Sequence, residues 1–67
     1  MDEYEVVQQP LLFRPEEAAQ RLGVGRTMVF DLMRSGRLRS VKIGGARRIS
    51  ARALADFVAD LEREWAA

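Results

Sequence analysis

The spacing of hydrophobic positions changes several times along the chain, and the pattern nearest the C-terminus is the most regular. After Ser50, a residue type favoured at helix N-caps, apolar residues recur three or four positions apart. This apolar stripe consists of Leu54, Phe57, Val58, Leu61 and Trp65. The pattern predicts a long amphipathic helix that packs on the core from Leu54 to Leu61. We expect Trp65 to anchor in the core, with a partner-binding role as the alternative.

Two shorter helical patterns lie upstream and are separated only by Gly23-Val24-Gly25. The first begins at Pro15, a residue favoured in the first helical turn, and ends at glycine. The second ends at Ser35-Gly36, and its apolar stripe consists of Val29, Leu32 and Met33. Two helices joined by so short a glycine-containing turn are typical of a helix-turn-helix. We expect Val24 to fill the junction between the helices.

Between Gly36 and Ser50 the spacing becomes alternating, which predicts a β-hairpin with its turn at Gly44-Gly45-Ala46. The hairpin residues expected to face the core are Val41, Ile43 and Ile49. The whole order is helix, short turn, helix, basic hairpin, helix. The predicted fold class is therefore mainly α with a small β-hairpin, a winged helix-turn-helix.

The sequence divides into a short N-terminal arm and one small domain. Residues 1–12 show no clear period and contain three acids, so we predict a flexible acidic arm in which Val6-Val7 and Leu11-Leu12 could add a short strand. Residues 13–67 are predicted to form the winged helix-turn-helix. A chain of 67 residues can bury only a small core.

Charge is distributed unevenly along the chain. The net charge is −4 for residues 1–20, +8 for residues 21–52 and −3 for residues 53–67, which sum to the total of +1. A field of one sign over half of a small domain costs self-repulsion and attracts polyanions. Because the basic residues lie within predicted helices and a hairpin, this pattern favours nucleic-acid binding by folded elements over an ordinary solvated surface.

The composition excludes several classes of function. The chain has no cysteine and no histidine, so a disulfide scaffold, a Cys/His zinc site and histidine-based catalysis are excluded. We expect no enzyme activity, no cofactor, no metal and no small-molecule ligand. No apolar run reaches the length of about 18 residues that a membrane span needs, and the N-terminus is acidic. A cytoplasmic location without a membrane partner is expected.

One segment resembles a known family. Residues 15–58, PEEAAQRLGVGRTMVFDLMRSGRLRSVKIGGARRISARALADFV, are similar to the excisionase-like DNA-binding domain related to the MerR helix-turn-helix. The matching positions include Glu16, Ala18, Ala19, Leu22, Gly23, Val24, Arg26, Val29, Leu32, Gly36, Leu38, Ile43, Gly44, Arg48, Ile49, Leu54 and Phe57. The resemblance implies an architectural protein of phage-infected bacterial cells that binds tandem sites on double-stranded DNA. Such excisionases bend the DNA, associate with further copies and direct an integrase toward excision.

The chain departs from the family pattern at four positions. Arg14 replaces a hydroxyl residue before the first helix, which removes a side-chain cap, and Gly25 replaces the serine that opens the second helix. Phe30 replaces a tyrosine and loses its hydroxyl. Asp31 stands where a basic or neutral residue is common. It could pair with Arg34 or Arg37, or accept a hydrogen bond from a cytosine amino group.

In a helix-turn-helix, the first turns of the second helix enter the major groove of DNA. The residues expected to face DNA there are Arg26, Thr27, Phe30, Asp31 and Arg34. Arg26 could contact guanine O6 and N7 through two hydrogen bonds or could contact a phosphate, and both interpretations stay open. Phe30 has a place in the core as its alternative.

The hairpin is expected to act as a DNA-binding wing. Its candidate contacts, to phosphates or in the minor groove, are Lys42, Gly45, Arg47 and Arg48. Exposed cations that only keep an edge strand soluble are the alternative. Further candidate contacts to the DNA backbone are Arg21, Arg37, Arg39 and Arg52.

Three classes of function remain from the sequence. The excisionase interpretation comes first, and a small stand-alone transcriptional regulator of the MerR or excisionase type is the alternative. A protein-interaction adaptor or antitoxin is the third, with the acidic arm and the end of the last helix as its surface.

Overall fold

The computed structural model describes residues 11–66, which form three helices and three short strands. In chain order the elements are β1 (Leu12–Phe13), α1 (Pro15–Leu22), α2 (Arg26–Arg34), β2 (Val41–Ile43), β3 (Ala46–Ser50) and α3 (Ala51–Ala66). The predicted winged helix-turn-helix is confirmed. Most of the predicted arm lies outside the described residues, and Leu12, its last residue, begins β1. No helix among residues 11–66 is long and apolar enough to cross a membrane.

Local hydrogen bonds explain where the helices begin and end. Arg14 precedes α1 without a side-chain cap, but its backbone N–H donates to Glu17 Oε1 at 2.8 Å. Gly23 ends α1 with φ +74°, a left-handed conformation that favours glycine. Ser50 precedes α3, where its Oγ accepts from the Ala53 N–H at 2.9 Å. The predicted cap at Ser50 is present, and Glu17 compensates in part for the missing one at Arg14.

The strands form an antiparallel sheet in the order β1-β3-β2. A two-residue turn, Gly44-Gly45, joins β2 to β3, and Gly44 has φ +61°, as the first central residue of a type II′ turn requires. Ile49 on β3 pairs with Phe13 on β1, and both side chains are buried.

The expectation that Val41 and Ile43 face the core is wrong. They are 48% and 56% exposed, whereas Ile49 is fully buried. Val41 pairs with Arg48, and Ile43 pairs with Ala46. Because side chains alternate along a strand, those partners point away from Ile49, and Val41 and Ile43 point away with them.

One core joins the helices to the sheet. Its buried residues are Phe13, Ala18, Ala19, Val29, Leu38, Ile49, Ala53, Leu54 and Phe57. Leu38, which follows α2, occupies a place in the core, whereas Val41 and Ile43 of the hairpin do not. Its backbone N–H donates to the Leu32 carbonyl oxygen at 3.0 Å, which holds the chain against the end of α2.

Three apolar residues that were expected to pack inside the protein are exposed. Val24 is exposed and does not fill the junction between α1 and α2. On α3, Val58 is also exposed, and Trp65 is 85% exposed, so the expected core anchor at Trp65 is wrong. The helix α3 continues beyond the elements it packs on, since Leu61 is the last residue of its stripe in contact with the core.

We predict that removal of one methylene group destabilises the protein on the buried face of the hairpin and not on its exposed face. Ile49→Val should lower the free energy of unfolding by about 0.5–1.5 kcal/mol, because it leaves a space in the core. Ile43→Val removes the same methylene from an exposed side chain and should change it by less than about 0.5 kcal/mol. Urea unfolding of both variants measures the difference, and equal effects would contradict the described register.

Candidate nucleic-acid interface

The fold exposes one face of α2 by burying the other. Val29 is fully buried, and Leu32 and Met33 are partly buried against the core. The opposite face carries the residues predicted to meet DNA: Arg26, Thr27, Asp31 and Arg34 are exposed, and Phe30 is half-buried. This helix follows α1 after a three-residue turn, as in a helix-turn-helix.

Arg26, the first residue of α2, is held by two neighbours. Its Nε lies 3.1 Å from Glu16 Oε2, on the first turn of α1. Its guanidinium carbon lies 5.2 Å from the centroid of the Phe30 ring, which is within the range of a cation–π contact. Phe30 therefore has a role that neither sequence interpretation included: it supports the charged end of Arg26.

Asp31 pairs with a neighbour on its own helix. Its Oδ1 lies 3.1 Å from Arg34 Nη2, one turn further along α2. Of the partners considered for Asp31, the structure selects Arg34, and both side chains remain exposed. The pair places opposite charges side by side on the exposed face of the helix.

The hairpin brings cations next to that face. Lys42 and Arg47 are directly opposite each other on β2 and β3. Arg47 is two residues from buried Ile49, so it lies on the same side of the sheet, and it lines a recess together with Phe30, Met33 and Arg34. The wing, Val41–Ser50, and α2 thus form one continuous surface.

The two wing arginines also make local hydrogen bonds, and Arg48 lies on the opposite side of the sheet from Arg47. Arg47 Nη1 donates to Ser40 Oγ at 2.9 Å, and Arg48 Nη1 donates to the Arg47 carbonyl oxygen at 2.8 Å. Within residues 11–66, the wing cations Lys42, Arg47 and Arg48 have no carboxylate partner. The wing therefore carries positive charge that no acid of these residues compensates. Lys42 and Arg47 repel each other, because they lie opposite each other on paired strands.

The flanking arginines lie in different surroundings. Arg37 Nη2 is 3.1 Å from Glu64, and Arg39 Nη2 is 3.0 Å from Asp56. Arg52 Nε is 3.9 Å from Asp56 as well. Two carboxylates of α3 thus pair with these three arginines, because Arg39 and Arg52 share Asp56, and each arginine would have to change partner to bind a phosphate. Arg21 lies over the Phe13 ring, 5.0 Å from its centroid.

Sequence reasoning missed the role of Glu16 and the compensation of charge by α3. Arg52 and Asp56 are four residues apart on one helix, a spacing that predicts an ion pair between them. The pair between Arg37 and Glu64 spans 27 residues, so no local spacing indicates it. At the level of sequence, Glu16 is only one of the positions that match the family pattern.

Comparisons with known proteins agree with this architecture. The family model described as a helix-turn-helix domain matches residues 12–61. An excisionase of Streptomyces ambofaciens is 49% identical over 51 residues, which cover 76% of this chain and 82% of that protein. A probable excisionase of Saccharopolyspora erythraea is 47% identical over 51 residues, which cover 76% of this chain and about half (52%) of that protein. No solved structure shows a significant match.

The matched segment runs from β1 into α3 and so includes the two helices, their turn and the wing. The family match covers more than half of the chain, and the first relative is matched over most of its length. The chain belongs to the excisionase-like helix-turn-helix domain family.

Proposed function

We propose that this protein is an architectural double-stranded DNA-binding protein and acts as an excisionase. The observation that carries the proposal is the surface on which the exposed face of α2 meets Lys42 and Arg47, wing cations that have no carboxylate partner within residues 11–66. Lys42 and Arg47 repel each other across the hairpin, and an approaching row of phosphates would relieve that repulsion. The charge that costs stability in the free protein therefore favours the complex.

In the proposed complex, the first turns of α2 enter the major groove and the wing contacts the DNA backbone. Arg26 reads a guanine, because its guanidinium is oriented by Glu16 and Phe30 at the start of the helix. Lys42 neutralises phosphates on the side of α2 and Arg48 on the other side of the hairpin, and the turn at Gly45 carries no side chain that would keep the wing away from the sugar–phosphate wall.

The small size of the domain supports assembly on several sites. A module of this kind covers roughly 600–1,000 Å² of protein surface on DNA, which limits the sequence that one copy can read. Several copies on tandem sites would supply the missing specificity. The relatives named as excisionases support a role in directing an integrase toward excision, with DNA bending as the mechanical step.

A protein-interaction role is the second candidate, and the exposure of Trp65 favours it. A tryptophan that is 85% exposed is a large apolar surface of the kind that partners bury. In the excisionase interpretation, an integrase or a second copy would bind there, so the two roles can coexist. A stand-alone regulator remains the alternative to excision.

We predict that binding to duplex DNA depends steeply on salt. Each neutralised phosphate contributes about −0.9 to the slope of log affinity against log salt, so the five cations on α2 and the wing give a slope of up to about −4.5. Titration of a labelled duplex at several salt concentrations measures the slope. Lys42→Ala should make it shallower by about 0.9. The control Arg63→Ala on α3 should leave it unchanged, and a wild-type slope near zero would refute DNA binding.

We also predict that α2 and the wing contribute differently to sequence preference. Arg26→Ala should flatten the preference, at about 1–3 kcal/mol of lost discrimination, because it removes the proposed base contact. Arg48→Ala should weaken binding to all duplexes about equally. Selection from a random duplex pool with wild type and both variants compares them. An unchanged motif for Arg26→Ala would assign that residue to the backbone.

The excision role has its own test. A plasmid carrying both hybrid attachment sites is incubated with the integrase of the same genetic element, with and without this protein. We expect excision to require the protein and Arg48→Ala to reduce it, because wing contacts hold the DNA. Binding next to a promoter without any effect on excision would favour the regulator. Capture of a protein partner in the absence of DNA binding would favour the adaptor.

A further inference from the structure

Glu16 lies beside the residue proposed to read DNA, and the sequence provides no reason for an acid there beyond the start of α1. Carboxylates close to a DNA-binding surface repel phosphates and therefore lower general affinity. Glu16 Oε2 is nevertheless 3.1 Å from Arg26 Nε, and both side chains are about half or more exposed, at 52% and 66%. An acid that weakens binding in this position needs a compensating role.

We infer that Glu16 is a positioning residue that makes Arg26 a reader of bases and not a phosphate contact. The inference rests on the proposed function and names one of its specificity determinants. Glu16 acts through Arg26 and does not itself contact DNA in this scheme. Its effect has two parts, one geometric and one electrostatic.

The geometric part concerns the orientation of the guanidinium. Glu16 approaches Nε, the inner nitrogen, which leaves the N–H groups of the two terminal nitrogens for a ligand. The Arg26 guanidinium carbon lies over the Phe30 ring, 5.2 Å from its centroid. A guanidinium restrained by these two contacts loses less conformational entropy when it forms two coplanar hydrogen bonds to guanine.

The electrostatic part concerns which ligand Arg26 prefers. Guanine O6 and N7 are neutral acceptors, whereas a phosphate is an anion that Glu16 would repel. A carboxylate 3.1 Å from the guanidinium offsets much of its charge, so Arg26 gains less from a phosphate and from the release of counterions. Glu16 therefore lowers affinity for any duplex and raises the ratio between the preferred duplex and the rest.

The ion pair between Glu16 and Arg26 contributes little to the stability of the fold. Its proposed role is therefore in the recognition of DNA and not in folding. Exposed ion pairs contribute little to folding because water and salt screen them. Glu17, the next residue, differs because its carboxylate accepts the Arg14 N–H at the start of α1. Substitution of Glu16 should thus change recognition of DNA and leave the melting temperature close to that of wild type.

The test compares Glu16→Gln with Glu62→Gln, which removes the same charge from an exposed position on α3. The probes are the duplex that wild type selects from a random pool and a duplex of unrelated sequence. We expect Glu16→Gln to bind the unrelated duplex more tightly and to steepen its salt slope by about 0.9, because Arg26 then contacts a phosphate. The preference for the selected duplex should fall about fivefold or more.

A second comparison uses the Arg26→Ala background. Glu16→Gln added to Arg26→Ala should leave the remaining preference unchanged, because Glu16 acts only through that arginine. The inference is overturned if Glu16→Gln keeps the wild-type preference and salt slope, as Glu62→Gln should, or if it reduces preference equally without Arg26. If wild type selects no motif at all, the proposed function fails first and is identified as the failure.

Discussion

Burial of Ile49 in the central strand is the constraint on which the rest of the molecule depends. The strand β3 contacts β1, β2, α1 and α3, and Ile49 is fully buried among them. Once that side chain points inward, alternation along the strand determines the direction of its neighbours. Arg47 is brought to the side of α2, Arg48 to the opposite side, and Ser50 to the start of α3. One apolar contact thus positions the wing, the last helix and the basic surface together.

The elements that follow from local physical chemistry could be predicted from the sequence. Pro15, Gly23 and Ser50 mark helix boundaries through backbone preference and capping, which act within a few residues. The face of α2 that is buried could be predicted for the same reason, because its stripe repeats at the helical period. The order of elements then allowed only a small number of arrangements, and the winged helix-turn-helix was among them.

What could not be predicted depends on contacts between distant parts of the chain. The inward face of the hairpin depends on the number of residues in its turn, which the sequence predicted as Gly44-Gly45-Ala46, whereas Ala46 is the first residue of β3. The exposure of Trp65 depends on where the body of the protein ends along α3. The apolar stripe on that helix does not indicate this point, because it continues to Trp65. The net charge of residues 21–52 also overstates the free positive charge, because acids of α3 pair with Arg37 and Arg39 across the fold.

The length of the turn at Gly44-Gly45 has a consequence for how this family can diverge. The pairing of β1 with β3 holds β3 in place independently of β2. One extra residue in the turn would therefore shift β2 by one position and exchange its two faces. Val41 and Ile43 would then lie beside Arg47, and Lys42 would lie on the outer side. A single inserted codon could thus convert a charged wing into an apolar one without any substitution, so the length of this turn constrains the wing as much as the positive φ of Gly44 does.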